Sequence, residues 1–395
     1  MKLVHLSDLH LGFRQYQRLT ANGINQREAD IASAFRRAID AVIEIQPDLI
    51  LIGGDVFHSV RPTNPAILHA YAQFSRLTEM LPDASIVMVA GNHDLPRTTE
   101  TGCLLRLFST LGITVVEGEA RNVTFRDGEL SVLAIPYDIQ PRPAFEPNPN
   151  ARYNVLLMHD VVEGVVNRFG PLNARPGGEI ARKDLGAERW DYVALGHYHV
   201  YSQIARNAFY SGSLEYVTTN IWGEVDEEIE RKVRGKGFIE HDLDSGEHRF
   251  HTVSLARRVV DIPQLSAIGR TAEELSSDMR AAVDACEGGI DERIVRLVIR
   301  DIPRHVLRDL DHRKIREYKR RALHFLLDAR RPEPVRVEAA SGAPGRRTSL
   351  ADTVRSMLEK RQLTPGIDRS ALVDLGMHYL DEADRLAPAL TGDET

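Results

Sequence analysis

In the first half of the chain, short apolar runs alternate with amphipathic stretches, and this alternation restricts the fold more than any other feature. The runs at residues 3–6, 49–52, 86–89, 131–135, 154–158 and 192–195 have the length and content of strands. Strands separated by helical segments build a layered sheet with helices on its faces. Between the first two runs, Ile31, Ala34, Phe35, Ala38, Ile39, Val42 and Ile43 recur at the three-and-four spacing of a buried helix face, and Pro47 ends that helix. Further helices are expected over 65–78 and 102–111, and later strands over 209–212 and 237–242.

Polar donors follow these strands. Asp8-Leu9-His10, Gly53-Gly54-Asp55, Gly91-Asn92-His93-Asp94, Met158-His159-Asp160 and Gly196-His197-Tyr198-His199 come directly after apolar runs. Ligands of open layered sheets bind at the carboxyl ends of strands, so segments far apart in sequence can converge on one site. A single Asp-x-His or His-x-His is more often a surface pair or a satisfied core histidine, but five such segments in series are a ligand set. Asp8, His10, Asp55, Asn92, His159, His197 and His199 offer oxygen and imidazole without thiolate. That set suits a pair of manganese, iron or zinc ions and is wrong for a structural thiolate zinc site. In Asp8-Leu9-His10 and His197-Tyr198-His199 an extended backbone would turn both donors to one side, and Gly53, Gly54 and Gly91 allow a tight or positive-φ turn toward the metal.

Composition removes other classes. A chain of 395 residues has room for two or three domains, and no apolar run approaches the ~18 residues of a membrane span. The net charge of −7 argues against coating nucleic acid by bulk positive charge. Cys103 and Cys286 are far apart and fit a reducing compartment. The N-terminus enters a strand pattern at once, so a cytoplasmic setting is expected.

Near Val253 the pattern changes to a small α+β unit, with a helix over 272–286, a strand over 293–300 and a helix over 315–327. Bases outnumber acids between Arg304 and Arg347, against the sign of the whole chain. A linker composition at 339–344 precedes two short amphipathic helices, capped by Ser349 and Asp368. The expected domains are therefore 1–252, 253–338 and 339–395. Arg14, Arg18 and Arg61 follow the donor segments, and Arg313, Lys314 and Arg320 lie in the basic helix; each is either a DNA phosphate contact or a solvated charge. The acidic run from Glu224 to Glu230 reads as a solvated loop, and Trp190 and Trp222 as core or interface residues.

The donor series, with Phe57-His58 after Asp55, resembles the calcineurin-like metallophosphoesterase superfamily. Within it, Ser7-Asp8-Leu9-His10-Leu11-Gly12, the stretch from Arg27 to Phe35, and Phe57-His58-Ser59-Val60-Arg61-Pro62 resemble the nuclease subunit of double-strand-break repair nuclease–ATPase complexes, SbcD type. The stretch from Val217 to Lys236, with its acidic insertion, departs from the better-known members. The resemblance implies an α/β layered fold, a β-sandwich flanked by helices, with a small α+β capping domain and short C-terminal helices. It implies one cation on Asp8, His10, Asp55 and His199, and a second on Asp55, Asn92, His159 and His197, with Asp55 bridging. His93 would protonate or steady the leaving oxygen, Asp94 would orient His93, and His58 would position the phosphate.

The function so implied is a manganese-dependent DNA nuclease subunit, a 3′–5′ exonuclease and single-strand endonuclease. It would be homodimeric and would bind a coiled-coil ATPase through its C-terminal helices. Two alternatives stand beside it: a phosphodiesterase for a small molecule such as a cyclic nucleotide, and a non-catalytic scaffold on the same fold.

Overall fold

The computed structural model describes residues 1–96, 102–164, 179–332, 350–361 and 368–386. From the N-terminus, β1 (Lys2–Leu6), α1 (Gln26–Ile45), β2 (Leu49–Ile52), α2 (Asn64–Met80), β3 (Ser85–Val89) and β4 (Thr114–Val116) form a parallel β-α-β series. Next come β5 (Arg121–Phe125), β6 (Leu130–Ile135), β7 (Tyr153–His159), the short α3 (Arg182–Leu185), β8 (Tyr192–Gly196), β9 (Ser202–Ala205) and β10 (Ala208–Tyr210). A helix, α4 (Ile221–Arg231), leads to β11 (Gly237–Asp242) and β12 (His248–Thr252). One sheet has the order β12-β11-β1-β2-β3-β4 and the other β5-β6-β7-β8-β10-β9.

Alternation along the strands explains the layers. On β2, Leu49 and Leu51 join the core between the two sheets, while Ile50 and Ile52 join the core beneath α1 and α2. On β7, Val155 and Leu157 face the inter-sheet core, and Leu156 and Met158 pack on the outer side with Trp190 and Tyr210. Strands buried on both faces read as continuous apolar runs, as parallel strands covered by helices do. The helix ends are set locally: Asn25 accepts from the Arg27 N–H at 3.0 Å, and Gln46 adopts a left-handed conformation just before Pro47. Thr63 caps α2, with Pro65 in its first turn.

A separate parallel sheet follows, ordered β13 (Val259–Ser266), β14 (Ile294–Arg300), β15 (His324–Ala329). Its crossovers are α5 (Ala272–Asp284), then α6 (Arg304–Arg308) and α7 (His312–Arg321). Leu275, Met279, Leu297, Ile315, Tyr318 and Phe325 build its core. Residues Met1–Pro332 make one compact unit. The second unit, Glu333–Thr395, contains α8 (Leu350–Lys360) and α9 (Arg369–Leu386), which pack on each other. Asp368 accepts from the Ser370 N–H at 2.8 Å, as an N-cap should. The expected linker at 339–344 and the cap Ser349 lie outside the described residues.

Three sequence expectations change. The helix expected over 315–327 stops at Arg321, because Phe325 to Ala329 pair with β14 as its third strand. A tertiary partner outweighs local pattern there. The acidic run from Glu224 to Glu230 is not a solvated loop; it lies within α4, and Glu224, Glu227 and Glu228 are buried. The stretch 102–111 is a 3-10 helix, Leu104–Leu111.

Leu157, fully buried between the sheets, supplies a test of the sandwich. Leu157→Ala should cost about 2–5 kcal/mol in urea unfolding, the range for a core leucine truncation.

Candidate metal centre

The carboxyl ends of β1, β2, β3, β7 and β8 lie at one edge of the two sheets, and each continues directly into a donor segment. The backbone conformation there is not the extended one expected from the Asp-x-His and His-x-His spacing. Asp8, His10, Asp55 and His197 all have positive φ, at 54°, 45°, 49° and 103°. Left-handed backbone at non-glycine residues costs of order 1–3 kcal/mol each and persists only where the surroundings enforce it. The enforcement is visible in the ladder: the N–H groups of Asp8, His10 and Leu11 donate to the carbonyls of Gly54, Asp55 and Val56 at 3.0, 2.9 and 2.9 Å. The turn after β2 needs its glycine, since Gly54 has φ +88° and an added Cβ would stand 2.6 Å from His159 Nδ1.

All seven predicted donors meet at this edge. Asp55 Oδ2 is 3.6 Å from His10 Nε2 and 3.5 Å from His159 Nε2, so one carboxylate oxygen faces both halves of the cluster. On one side, His10 Nε2 lies 3.2 Å from His199 Nε2, and His199 Nε2 lies 3.8 Å from Asp8 Oδ1. On the other, Asn92 Oδ1 lies 3.1 Å from His159 Nε2 and 2.9 Å from His197 Nδ1.

Proton placement tests whether a cation fits. His159 Nδ1 donates to the Gly53 carbonyl at 2.6 Å, so in the neutral ring Nε2 is a bare lone pair. That lone pair faces Asp55 Oδ2 and Asn92 Oδ1, both acceptors. His10 and His58 approach through their Nδ1 atoms at 3.2 Å, which requires one of them to donate. The tautomer with the proton on His10 leaves His10 Nε2 bare toward Asp55. Converging lone pairs with imidazole tautomers set from behind are what a divalent cation needs, and the donor set fits one.

Electrostatics point the same way. Burial pushes Asp8 up to about 6, against the pull of His199, Ser7 and the His197 N–H. Burial, with the charges of Asp94 and Asp8, pushes Asp55 far above the carboxylate range. Burial, with neighbouring imidazoles, holds His10 and His159 well below theirs, and burial followed by His93 puts His58 at about 4. Buried carboxylates and neutral imidazoles packed together call for positive charge from outside the chain.

His93 is oriented differently from expectation. Its Nδ1 donates to the His58 carbonyl at 2.7 Å, not to Asp94. Asp94 instead accepts from the N–H groups of Gly91, Val56 and Phe57 at 3.0, 3.2 and 3.0 Å, and so ties the loops after β2 and β3 together. His58 stacks on His93, with ring centroids 5.1 Å apart.

The basic residues divide. Arg14 pairs with buried Glu28 at 2.8 Å. Arg18 is no free phosphate ligand: it donates to the carbonyls of Arg320 and Ala322, and so joins the loop after β1 to the three-stranded unit. Arg61 is exposed beside Val60 and Pro62. Arg313 and Arg320 are exposed on α7 with Arg316 and Lys319, whereas Lys314 pairs with Glu317 at 2.9 Å. None of the three predicted bases on α7 belongs to the donor cluster.

Glu224 and Lys236 escaped the sequence reading. Burial opposes the charge of Glu224, but Lys236 and His199 outweigh it and hold the carboxyl at about 2. The available sign was the helical spacing of Ile221, Glu224, Val225 and Glu228, which a solvated loop does not require.

Residues 1–201 match the family described as calcineurin-like phosphoesterase, and the chain belongs to that family. It is also similar to proteins named DNA double-strand break repair protein Mre11. That of Methanocaldococcus jannaschii is 30% identical over 251 residues, 60% of this chain and 61% of the relative. That of Methanococcus maripaludis is 30% identical over 266 residues, 64% and 66% respectively. At 23% identity the match to that of Methanosarcina acetivorans extends to 90% of this chain and 61% of the relative. The chain thus spans less than two thirds of the length of these relatives.

Asp55→Asn should weaken manganese uptake on both sides of the cluster, because Oδ2 faces both, whereas His197→Ala should weaken one. Calorimetric titration of the metal-free chain distinguishes the two patterns.

Proposed function

We propose that the chain is a two-metal-dependent DNA nuclease subunit, a 3′–5′ exonuclease and single-strand endonuclease that acts in double-strand-break repair. The observation that carries this reading is the convergence of the seven donors at one edge, with Asp55 Oδ2 facing His10 on one side and His159 on the other, in a chain similar to proteins named for that repair. Asp8, His10, Asp55 and His199 would hold one divalent cation, and Asp55, Asn92, His159 and His197 the other. Manganese is the first assignment, with iron or zinc compatible with the same ligands. Such a pair supplies Lewis acidity to both ends of an in-line displacement at phosphorus.

The chain's own groups do the rest. Asp55 would set the spacing of the two positions, and the left-handed turns at Asp8, His10 and His197 carry the donors off the strand ends toward it. His93, held at Nδ1 by the His58 carbonyl, keeps Nε2 for an oxygen of the phosphodiester. Burial lowers its proton affinity, so it binds that oxygen as a neutral ring and takes up a proton only as part of the reaction. His58 acts on His10 and His93 together, and so steadies both a ligand and the leaving-group histidine.

The α+β unit would cap the site and carry DNA along α7, where Arg313, Arg316, Lys319 and Arg320 are exposed. The pair α8–α9 exposes Met357, Leu375 and Tyr379, a surface suited to a coiled-coil ATPase. Homodimerisation through the helices of the first domain and a cytoplasmic, nucleoid-associated setting complete the reading. Among the described residues no helix is long and apolar enough to cross a membrane.

Asp8→Asn and His93→Asn should each reduce manganese-dependent degradation of linear DNA by about 10²-fold or more, assayed on 3′-labelled duplex. The paired variant Arg313→Ala/Arg320→Ala should bind DNA more weakly and lose up to about 0.9 per lost phosphate contact from the log–log salt slope. Its turnover of a small phosphodiester should stay unchanged. Wild-type chain that hydrolyses cyclic nucleotides but leaves DNA intact would transfer the assignment to a small-molecule phosphodiesterase.

A further inference from the structure

Among the cluster's imidazoles, His199 is approached by a charged pair. Glu224 on α4 is 7% exposed and Lys236, just before β11, is 2% exposed. Lys236 Nζ donates to the His199 carbonyl at 2.9 Å and to Glu224 Oε2, and sits 4.7 Å over the Tyr216 ring. Ser213 donates to the same carbonyl through its N–H at 3.1 Å and its hydroxyl at 3.2 Å. The other oxygen of Glu224 stands 3.8 Å from His199 Nδ1 and accepts from the Thr218 N–H at 3.2 Å. The His199 main chain is therefore gripped by the ammonium, and its ring faces the carboxylate.

We infer that Glu224 and Lys236 are a positioning pair for His199, with Glu224 placing the ring proton on Nδ1 so that Nε2 presents its lone pair toward Asp8 and His10. The inference rests on the metal-centre reading above. A neutral imidazole carries one proton, and negative charge beside one nitrogen draws it there. The His159 tautomer is set by the Gly53 carbonyl, and His10 Nδ1 meets His58 Nδ1; His199 has Glu224 on that side instead. A buried Glu–Lys pair is weak evidence for stability, because apolar residues of similar volume often serve as well. Orientation of a ligand accounts for why the pair is ionic and why Lys236 reaches the His199 carbonyl. Glu228 belongs to the same buried network but meets Lys236, at 3.2 Å, and the Tyr216 hydroxyl, from which it accepts at 2.9 Å.

The test titrates manganese into the metal-free full chain. Wild type should show two sites; Glu224→Gln should lose about 10–100-fold in affinity at one of them, the usual cost of removing a group that orients a ligand. Glu228→Gln should keep both sites, although it disturbs the same network. Glu224→Gln titrating like wild type, or Glu228→Gln weakening uptake equally, would overturn the inference. Nitrogen NMR of ring-labelled, metal-free wild type, recorded at a pH high enough to leave the His199 ring neutral, gives a readout that needs no variant: the proton on Nδ1 of His199 supports the pair's role, and the proton on Nε2 refutes it. Wild type that takes up no manganese would remove the metal-centre reading and this inference together, whereas two intact wild-type sites with an unaffected Glu224→Gln removes the inference alone.

Discussion

The structure depends on how closely two sheets approach at one edge. There the Gly196 backbone stands so near Gly53 that an added Cβ would lie 1.8 Å from the Gly53 carbonyl oxygen. That contact joins β2 of one sheet to β8 of the other, and the two bring Asp55 and the two histidines of the His-x-His segment from opposite sheets. A larger residue at Gly196 would part the sheets where the donors must meet. Elsewhere the inter-sheet space is filled by Leu51, Val87, Val155, Leu157 and Phe209, whose packing fixes the approach along its length.

The site concentrates buried charge and strained backbone in one place. Asp8, Asp55 and Asp94 are almost fully buried within one loop cluster, beside His10 and His159. Asp94 is stabilised by three backbone N–H groups, but Asp55 accepts one, from His93. Its second oxygen faces imidazoles instead, and the division assigns Asp94 to holding loops and Asp55 to holding charge. Such a cluster is stable in ionised form only with counter-charge close by.

One helix links this centre to the three-stranded unit. Glu224 of α4 faces His199, while Trp222 of the same helix lies under the Arg296 guanidinium at 4.7 Å and Asp226 pairs with Arg296 at 3.6 Å. Arg18 and the stacking of Tyr16 on His324, 4.1 Å between centroids, add a second connection to that unit from the loop after β1. Within the stretch that departs from the better-known family members, Trp222 and Glu224 are thus buried toward β14 and the donor cluster, while Ile229 on the far side of α4 is exposed.

Strand and helix periodicity, the five donor segments and their order after apolar runs were legible in the sequence, because burial on alternate faces and placement at strand ends leave local marks. Asp8, His10, Asp55, Asn92, His159, His197 and His199 could all be named that way. What the residues alone did not decide was the left-handed backbone at four of those positions, the Asp94 bonds that join the loops after β2 and β3, the tie of Arg18 to the α7–β15 corner, and the burial of Glu224. Each depends on a partner far away in the chain, as Glu28 and Asp30 of α1 do on Arg14 and Arg257. The third strand of the small sheet makes the same point, since residues 324–329 carry a helical pattern until β14 offers them a ladder. Sequence determined which groups could act as donors; the packing of two sheets decided where their atoms and protons point, because orientation is set by contacts that no local window contains.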